Sequence, residues 1–216
     1  MTVQWRILSL APGAVVSPAE LIGHFQPESS QPAAVALLSA RPATAGDAES
    51  AELILRVGTC AGLTALLLDG RAEGWILGLA AAVDLLYATG SSSFSAEGAG
   101  VETGFVTAEL LGRTIGKARA IEVLIAGELG AERMLEHGMV SGLVGDEELA
   151  DPGAFLEGLL PRRVVETVPR LKRTWAGQSG RQVEELLAVE RLEFQRCFRE
   201  GAAESIARYL GKQKRN

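Results

Sequence analysis

The chain has 216 residues and a mass of 22.8 kDa, with 47% hydrophobic and 22% charged residues. That length and apolar share suit one core-bearing domain, with or without a docking appendage, and exclude a disordered solvating chain. The net charge of −6 is uneven: Arg162–Asn216 carries 13 Lys and Arg against 7 Glu, and the remainder carries 8 basic residues against 20 acidic ones. Interleaved Glu184, Glu185, Glu190 and Glu193 argue against nucleic acid as a partner of the basic segment, and a solvated helix face is its plain reading.

Residues 2–10 alternate polar and apolar, as a half-buried strand does. Pro12 and Gly13 end it, and Ser17-Pro18-Ala19-Glu20 reads as a helix start. Ala33 to Leu38 is a short apolar run between turn formers, the pattern of a strand buried on both faces, and Arg41 to Asp47 follows as a loop. A weak helix is expected over 51–63, where Gly58 and Gly62 lower the propensity. Leu66–Leu68 is a second buried strand, a helix runs from about Gly74 to Asp84, and Leu85–Ala88 is strand-like. The stretch up to Gly116 leads into a helix over 117–126 with Ile121, Leu124 and Ile125 on one stripe. A helix over 130–137 ends at Gly138, a strand covers 139–144, and helices follow over 151–160, 163–176 and 180–210. Short buried strands alternating with helices make an α/β domain with an all-helical C-terminal third.

The two cysteines, Cys60 and Cys197, form no CxxC pair, so no disulfide framework or structural zinc site is expected and a reducing compartment is the default. His24 and His137 are the two histidines, and each sits at a helix end, where a capping or packing role is the ordinary one. There is no HExxH, GxSxG, GxGxxG or Walker A pattern, so no metal is expected. No basic stretch leads into an apolar one at the start of the chain. The longest apolar run, Trp75–Ala88, is broken by Asp84 and falls short of the about 20 residues a bilayer span needs. The reading is a soluble cytoplasmic protein without membrane contact. Glycines at strand-to-helix junctions, Gly46 and Gly70–Gly74, offer backbone N–H groups that could hold an anion or a developing oxyanion; close helix–strand packing accounts for them equally well.

Several segments taken in order resemble the crotonase (enoyl-CoA hydratase/isomerase) superfamily. Leu68-Asp69-Gly70-Arg71-Ala72-Glu73-Gly74-Trp75-Ile76-Leu77-Gly78 through Asp84 is similar to its NGxAxGGGxxLAxxCD segment. Ala88–Phe94, Leu111–Ala120, and Leu124–Glu128 through Val140 resemble its later motifs, and Glu190–Phe198 and Glu204–Leu210 its terminal helices. The resemblance implies a spiral of ββα turns over residues 1–160, shortened between 47 and 70, and a helical region over 161–216 that packs on the core and on neighbours in a trimer or hexamer.

The resemblance further implies an acyl thioester substrate, carried on coenzyme A or an acyl carrier protein, and no cofactor of the protein's own. Two backbone N–H groups would hold the enolate oxygen, one at Gly46 or Asp47 and one at Trp75, which stands where the family has the middle glycine of GGG. The family's first carboxylate maps to Gly78, which has no side chain; the second falls near Glu97, a candidate general acid/base, with Glu102 a poorer one. Ordinary two-carboxylate hydration is therefore not expected. The family's lyases that install β-branches on carrier-bound polyketide intermediates, by dehydration or decarboxylation, tolerate such changes. The implied activity is a lyase or isomerase of that kind. The alternative is a catalytically inactive accessory or scaffold subunit of the same fold.

Overall fold

Apolar runs bounded by turn formers make strands that bury both faces, and such strands belong in a parallel sheet covered by helices. The computed structural model of the chain, which describes residues 4–10, 12–26, 28–39, 41–43, 46–159 and 167–174, contains that sheet. Each of its first four strands opens a ββα unit. The first unit is β1 (Arg6–Leu10), β2 (Val15–Val16) and α1 (Pro18–Ile22). The second is β3 (Ala33–Leu38), β4 (Arg41–Pro42) and α2 (Asp47–Gly58). The third is β5 (Thr64–Asp69), β6 (Arg71–Glu73) and α3 (Trp75–Ala82), and the fourth is β7 (Leu85–Thr89), β8 (Ser93–Ser95) and α4 (Val101–Ile115). Then come α5 (Lys117–Ile125), β9 (Leu129–Gly130), α6 (Ala131–His137), β10 (Gly142–Val144), α7 (Asp146–Ala150), α8 (Pro152–Leu159) and a helix over 167–174, α9.

The strands β1, β3, β5, β7 and β10 lie side by side in that order and all pair parallel. β2 pairs β4, and β6, β8 and β9 make a third small sheet, so successive units stack as turns of a spiral. This is the α/β ββα spiral that the resemblance implies. The core runs between the sheet and the helices: Val35, Leu37, Leu66, Ile54, Ile76 and Leu77 are wholly buried. On one side of the sheet Trp5, Ala34, Ala36, Leu67, Leu149 and Leu156 form a cluster. The chain divides into two compact units, Met1–Lys172 and Arg173–Asn216, and all described residues but Arg173 and Thr174 belong to the first. Within that unit Lys172 donates to Asp84 Oδ2 at 2.7 Å and to the Gly62 carbonyl at 3.0 Å. The same Asp84 oxygen accepts from the Thr64 N–H and hydroxyl at 2.7 and 2.8 Å, tying α9 to the starts of β5 and β7. No described helix is long and apolar enough to cross a membrane.

Several sequence expectations are corrected. The helix expected over 51–63 begins four residues earlier, at Asp47, and ends at Gly58. The largest omission is α4, fifteen residues that the sequence reading left without an element. Its Val, Thr and Gly content gives it weak intrinsic propensity, and packing against α2 and α3 stabilises it instead. The stripe assigned to α5 is not its core face: Ile121 and Ile125 are 46% and 77% exposed, while Ala120 and Val123 are buried. The strand over 139–144 shortens to Gly142–Val144, because Gly138 ends α6 in the left-handed region (φ 82°) and the chain needs Met139 and Val140 to complete the turn. The terminal segments 180–210, 190–198 and 204–210 lie outside the described residues, as does all but 167–174 of the helix expected over 163–176.

Candidate active site

Two helix starts and the turn between them define the site. Gly46 is the N-cap of α2, with φ −63° and ψ 139°, and its carbonyl accepts the Ser50 N–H and hydroxyl, both at 3.0 Å. Asp47 follows as the first helical residue. Its carboxylate Oδ1 accepts the Thr103 N–H at 2.9 Å, and the Thr103 hydroxyl donates to the Asp47 carbonyl at 3.2 Å. Thr103 is the third residue of α4, so the Asp47 side chain supplies the cap that Gly100, at α4's N-cap, cannot. The approach is close enough that a Cβ on Gly100 would collide with the Asp47 carboxylate.

The second start is α3. Gly74 stands at its N-cap with φ 57° and ψ −125°, a conformation that disfavours any side chain. Its N–H donates to the Glu97 carbonyl at 2.8 Å, and a Cβ on it would stand 3.1 Å from the Gly98 carbonyl oxygen. The chain therefore turns sharply from β6 into α3, and Trp75 takes the first helical position, where a backbone N–H has no partner within the helix. The Trp75 side chain is buried and its indole Nε1 has no hydrogen-bond partner among the described residues. The segment Gly98–Ala99–Gly100 thus borders Gly74 at one end and Asp47 at the other. Three residues reach only on the order of 10 Å, so the starts of α2 and α3 are neighbours. Gly46 and Asp47 lie at one end of this segment, and Trp75 follows Gly74 at the other.

Glu97 is brought there by its main chain alone. Its carboxylate is 72% exposed and stands 3.6 Å from Arg71 Nη2, within a surface group that also pairs Arg71 with Glu73 at 3.2 Å and Glu128 at 3.7 Å. That is the setting of a solvated surface carboxylate paired with Arg71. Glu102 lies in the first turn of α4. At Gly78, one turn into α3, the space of the absent side chain is already filled. A Cβ there would collide with Ile54 Cδ1 of α2 and stand 2.6 Å from Thr107 Oγ1 of α4. Thr107 is buried and its hydroxyl has no hydrogen-bond partner among the described residues. Neither Ile54 nor Thr107 figures in the sequence reading. Finding them requires knowing that α2 and α4 both pack on α3, and α4 has no legible helical signal.

The histidines fall where packing roles place them. His24 donates through Nε2 to the Ala34 carbonyl at 2.9 Å, and burial, the largest cause, lowers its pKa below the ordinary value. His137 is buried at the end of α6, 3.3 Å from Glu122, and Arg119 caps its carbonyl at 2.9 Å. The Glu122 carboxyl is held below the usual carboxylate range, chiefly by the hydrogen bonds it accepts from Arg133.

Four stacked ββα units around a parallel sheet, the last three with glycine at the turn into the helix, define a crotonase-type fold. The sequence pattern of the enoyl-CoA hydratase/isomerase family matches residues 36–216, and the chain belongs to that family. Among solved structures it is similar to an enoyl-CoA hydratase/isomerase family protein from Silicibacter pomeroyi, at 22% identity and a TM-score of 0.64 over 88% of this chain and 94% of the other. It is also similar to an enoyl-CoA hydratase/isomerase from Pseudoalteromonas atlantica T6c (20%, 0.62, over 90% and 84%). A third likeness is to an enoyl-CoA hydratase from Mycobacterium smegmatis (18%, 0.60, over 95% and 92%). At these identities the likeness is one of fold. Comparison with curated proteins finds no match.

Proposed function

We propose that this protein acts on an acyl thioester of coenzyme A or an acyl carrier protein as a lyase or isomerase. The thioester oxygen is held between the N–H of Gly46 or Asp47 and the N–H of Trp75 as it takes up enolate charge. The observation that carries this reading is the turn at Gly74, fixed by its bond to the Glu97 carbonyl, in front of a segment whose far end, Gly100, abuts the Asp47 side chain. Fixed N–H dipoles at the point where charge develops are worth about 10²–10³ in rate per donor.

Addition of water across a double bond calls for a carboxylate on each side. Gly78 offers none, and Glu97 would have to leave Arg71 and turn inward to act as the acid or base of a dehydration. Loss of carbon dioxide makes the smallest demand: the C–C bond to the carboxylate breaks, its electron pair passes into the enolate, and a proton then returns to carbon. Of the β-branching reactions that the resemblance implies, decarboxylation is the one we favour. The substrate is carried in, so no cofactor is needed, and a trimeric or hexameric assembly in the cytoplasm is part of the same reading. So is a helical packing region over 161–216 beside a core over 1–160. The filled notch at Gly78 and the outward Glu97 favour a second reading, a non-catalytic subunit of the same fold.

One experiment separates the two. Wild-type protein is incubated with acyl-CoA and acyl-carrier thioesters, and loss of carbon dioxide or water is read by intact mass. Asp47→Ala and Asp47→Pro are compared alongside it. Both remove the cap on α4, but only proline removes the N–H, and Gly46 already has the extended backbone that precedes proline without strain. Turnover by wild type, with the proline variant slower than the alanine variant by about tenfold or more, supports the enzyme. Intact binding without turnover supports the accessory subunit.

A further inference from the structure

Gly78, Ile54 and Thr107 meet at the junction of α3, α2 and α4, and each is unusual in its own way. Gly78 is the position to which the family's first carboxylate maps, and the room its side chain would use is taken by Ile54 Cδ1 and Thr107 Oγ1. Thr107 is 98% buried and its hydroxyl makes no hydrogen bond among the described residues, although a threonine within a helix can ordinarily bond back to a preceding carbonyl. A buried hydroxyl without a partner is a destabilising feature that calls for a reason. Ile54 is wholly buried and reaches the notch with the tip of its side chain.

We infer that Thr107 is a substrate-binding residue, whose hydroxyl bonds an oxygen on the β-carbon of the acyl chain once Ile54 swings out of the Gly78 notch. The inference rests on the proposed thioester site at Trp75. Trp75 and Gly78 are three residues apart on α3, a rise of about 4.5 Å. A chain whose carbonyl oxygen sits at the Trp75 N–H carries its β-substituent toward that next turn. The hydroxyl titrates far above neutrality and so positions the substituent without accepting its proton. Ile54 closes the notch when no acyl group is present. Its tip gives way by rotating about its own side-chain bonds, so the ligand-free protein keeps a full core. The substrate class this selects is a β-oxygenated acyl thioester over a plain alkyl one.

Calorimetry with butanoyl-pantetheine and β-hydroxybutanoyl-pantetheine tests it on the whole chain. Wild type is expected to bind the hydroxylated ligand about tenfold more tightly, the effect of one buried hydrogen bond. Thr107→Val erases that preference without lowering the melting temperature, since the lost hydroxyl had no partner, and Thr107→Ser keeps the preference. Ile54→Ala tightens both ligands by about threefold or more, because nothing needs to be displaced. Equal affinity of wild type for the two ligands overturns the inference and leaves the thioester site standing. So does a preference that survives in Thr107→Val. If wild type binds neither ligand, the proposed function falls and the inference falls with it.

Discussion

The packing at Gly78 makes a quantitative demand on stability. Replacing a glycine inside a helix by alanine normally stabilises it by about 1 kcal/mol. Here the new methyl would collide with Ile54 Cδ1 and approach Thr107 Oγ1 to 2.6 Å, and forcing a methyl into a filled core costs about 1–3 kcal/mol. Gly78→Ala is therefore expected to lose up to about 2 kcal/mol net. Ile54→Val removes the colliding carbon and by itself costs about 0.5–1.5 kcal/mol. If the two sites were independent, the losses would add. They share one space, so the double variant should lose less than that sum, by a coupling energy of about 1 kcal/mol or more, while the approach to Thr107 Oγ1 remains. Urea unfolding followed by circular dichroism, with a common slope for the four proteins, measures the cycle. Additivity to within about 0.5 kcal/mol would mean that α2 does not press into α3, and the account of a closed notch would be wrong.

Other consequences can be checked with the same tools. Gly74→Ala places a side chain at φ 57° and ψ −125°, against the Gly98 carbonyl, and should cost about 1–3 kcal/mol along with any activity; an unchanged midpoint would refute the strained turn. Asp84→Ala leaves the Thr64 N–H without its carboxylate acceptor and takes one of the two bonds of Lys172, whereas Lys172→Met leaves Asp84 bonded to Thr64. Denaturation should find the first variant weaker by about 1–3 kcal/mol and the second only mildly affected. His24, whose pKa burial holds below its ordinary 6.5, is neutral in the folded state near neutrality. The unfolded chain takes up its proton first, so its contribution is whole above pH 6.5 and is lost as the pH falls from there through the folded value. Melting curves of wild type and His24→Gln should run parallel above that pH and diverge below it, with wild type dropping faster.

Much of the spiral was legible because buried parallel strands leave strong marks. Ala33–Leu38 and Leu66–Leu68 are short apolar runs closed by turn formers, and β3 and β5 lie where those runs are. Ser17 with Glu20 announced α1, and the Glu20 carboxylate does accept the Ser17 N–H at 2.8 Å. What failed did so for identifiable reasons. The two- and three-residue strands β2, β4 and β6 are too short to show a period and exist through pairing with distant strands. The reading of α5 failed differently. Periodicity locates an apolar stripe, but which stripe faces inward depends on neighbours, and the core has room for Ala120 and Val123, not for Ile121 and Ile125.

The site divides along the same line. The proposed backbone donors are legible because glycine marks the turns that carry them, and Gly46 and Gly74 stand at the two helix starts. Side chains that work through tertiary contact are not. Asp47 entered the sequence reading for its N–H, yet its carboxylate holds α4 in place, so changing it disturbs the fourth ββα unit as well as the start of the second. This coupling is why a proline at Asp47 has to be judged against an alanine rather than against wild type. Both variants lose the bond to Thr103, and any difference between them belongs to the N–H. Equal activity of the two would remove that N–H from the chemistry and leave the Gly46 N–H to serve beside Trp75, which Gly46→Pro tests at a residue whose φ of −63° already suits proline.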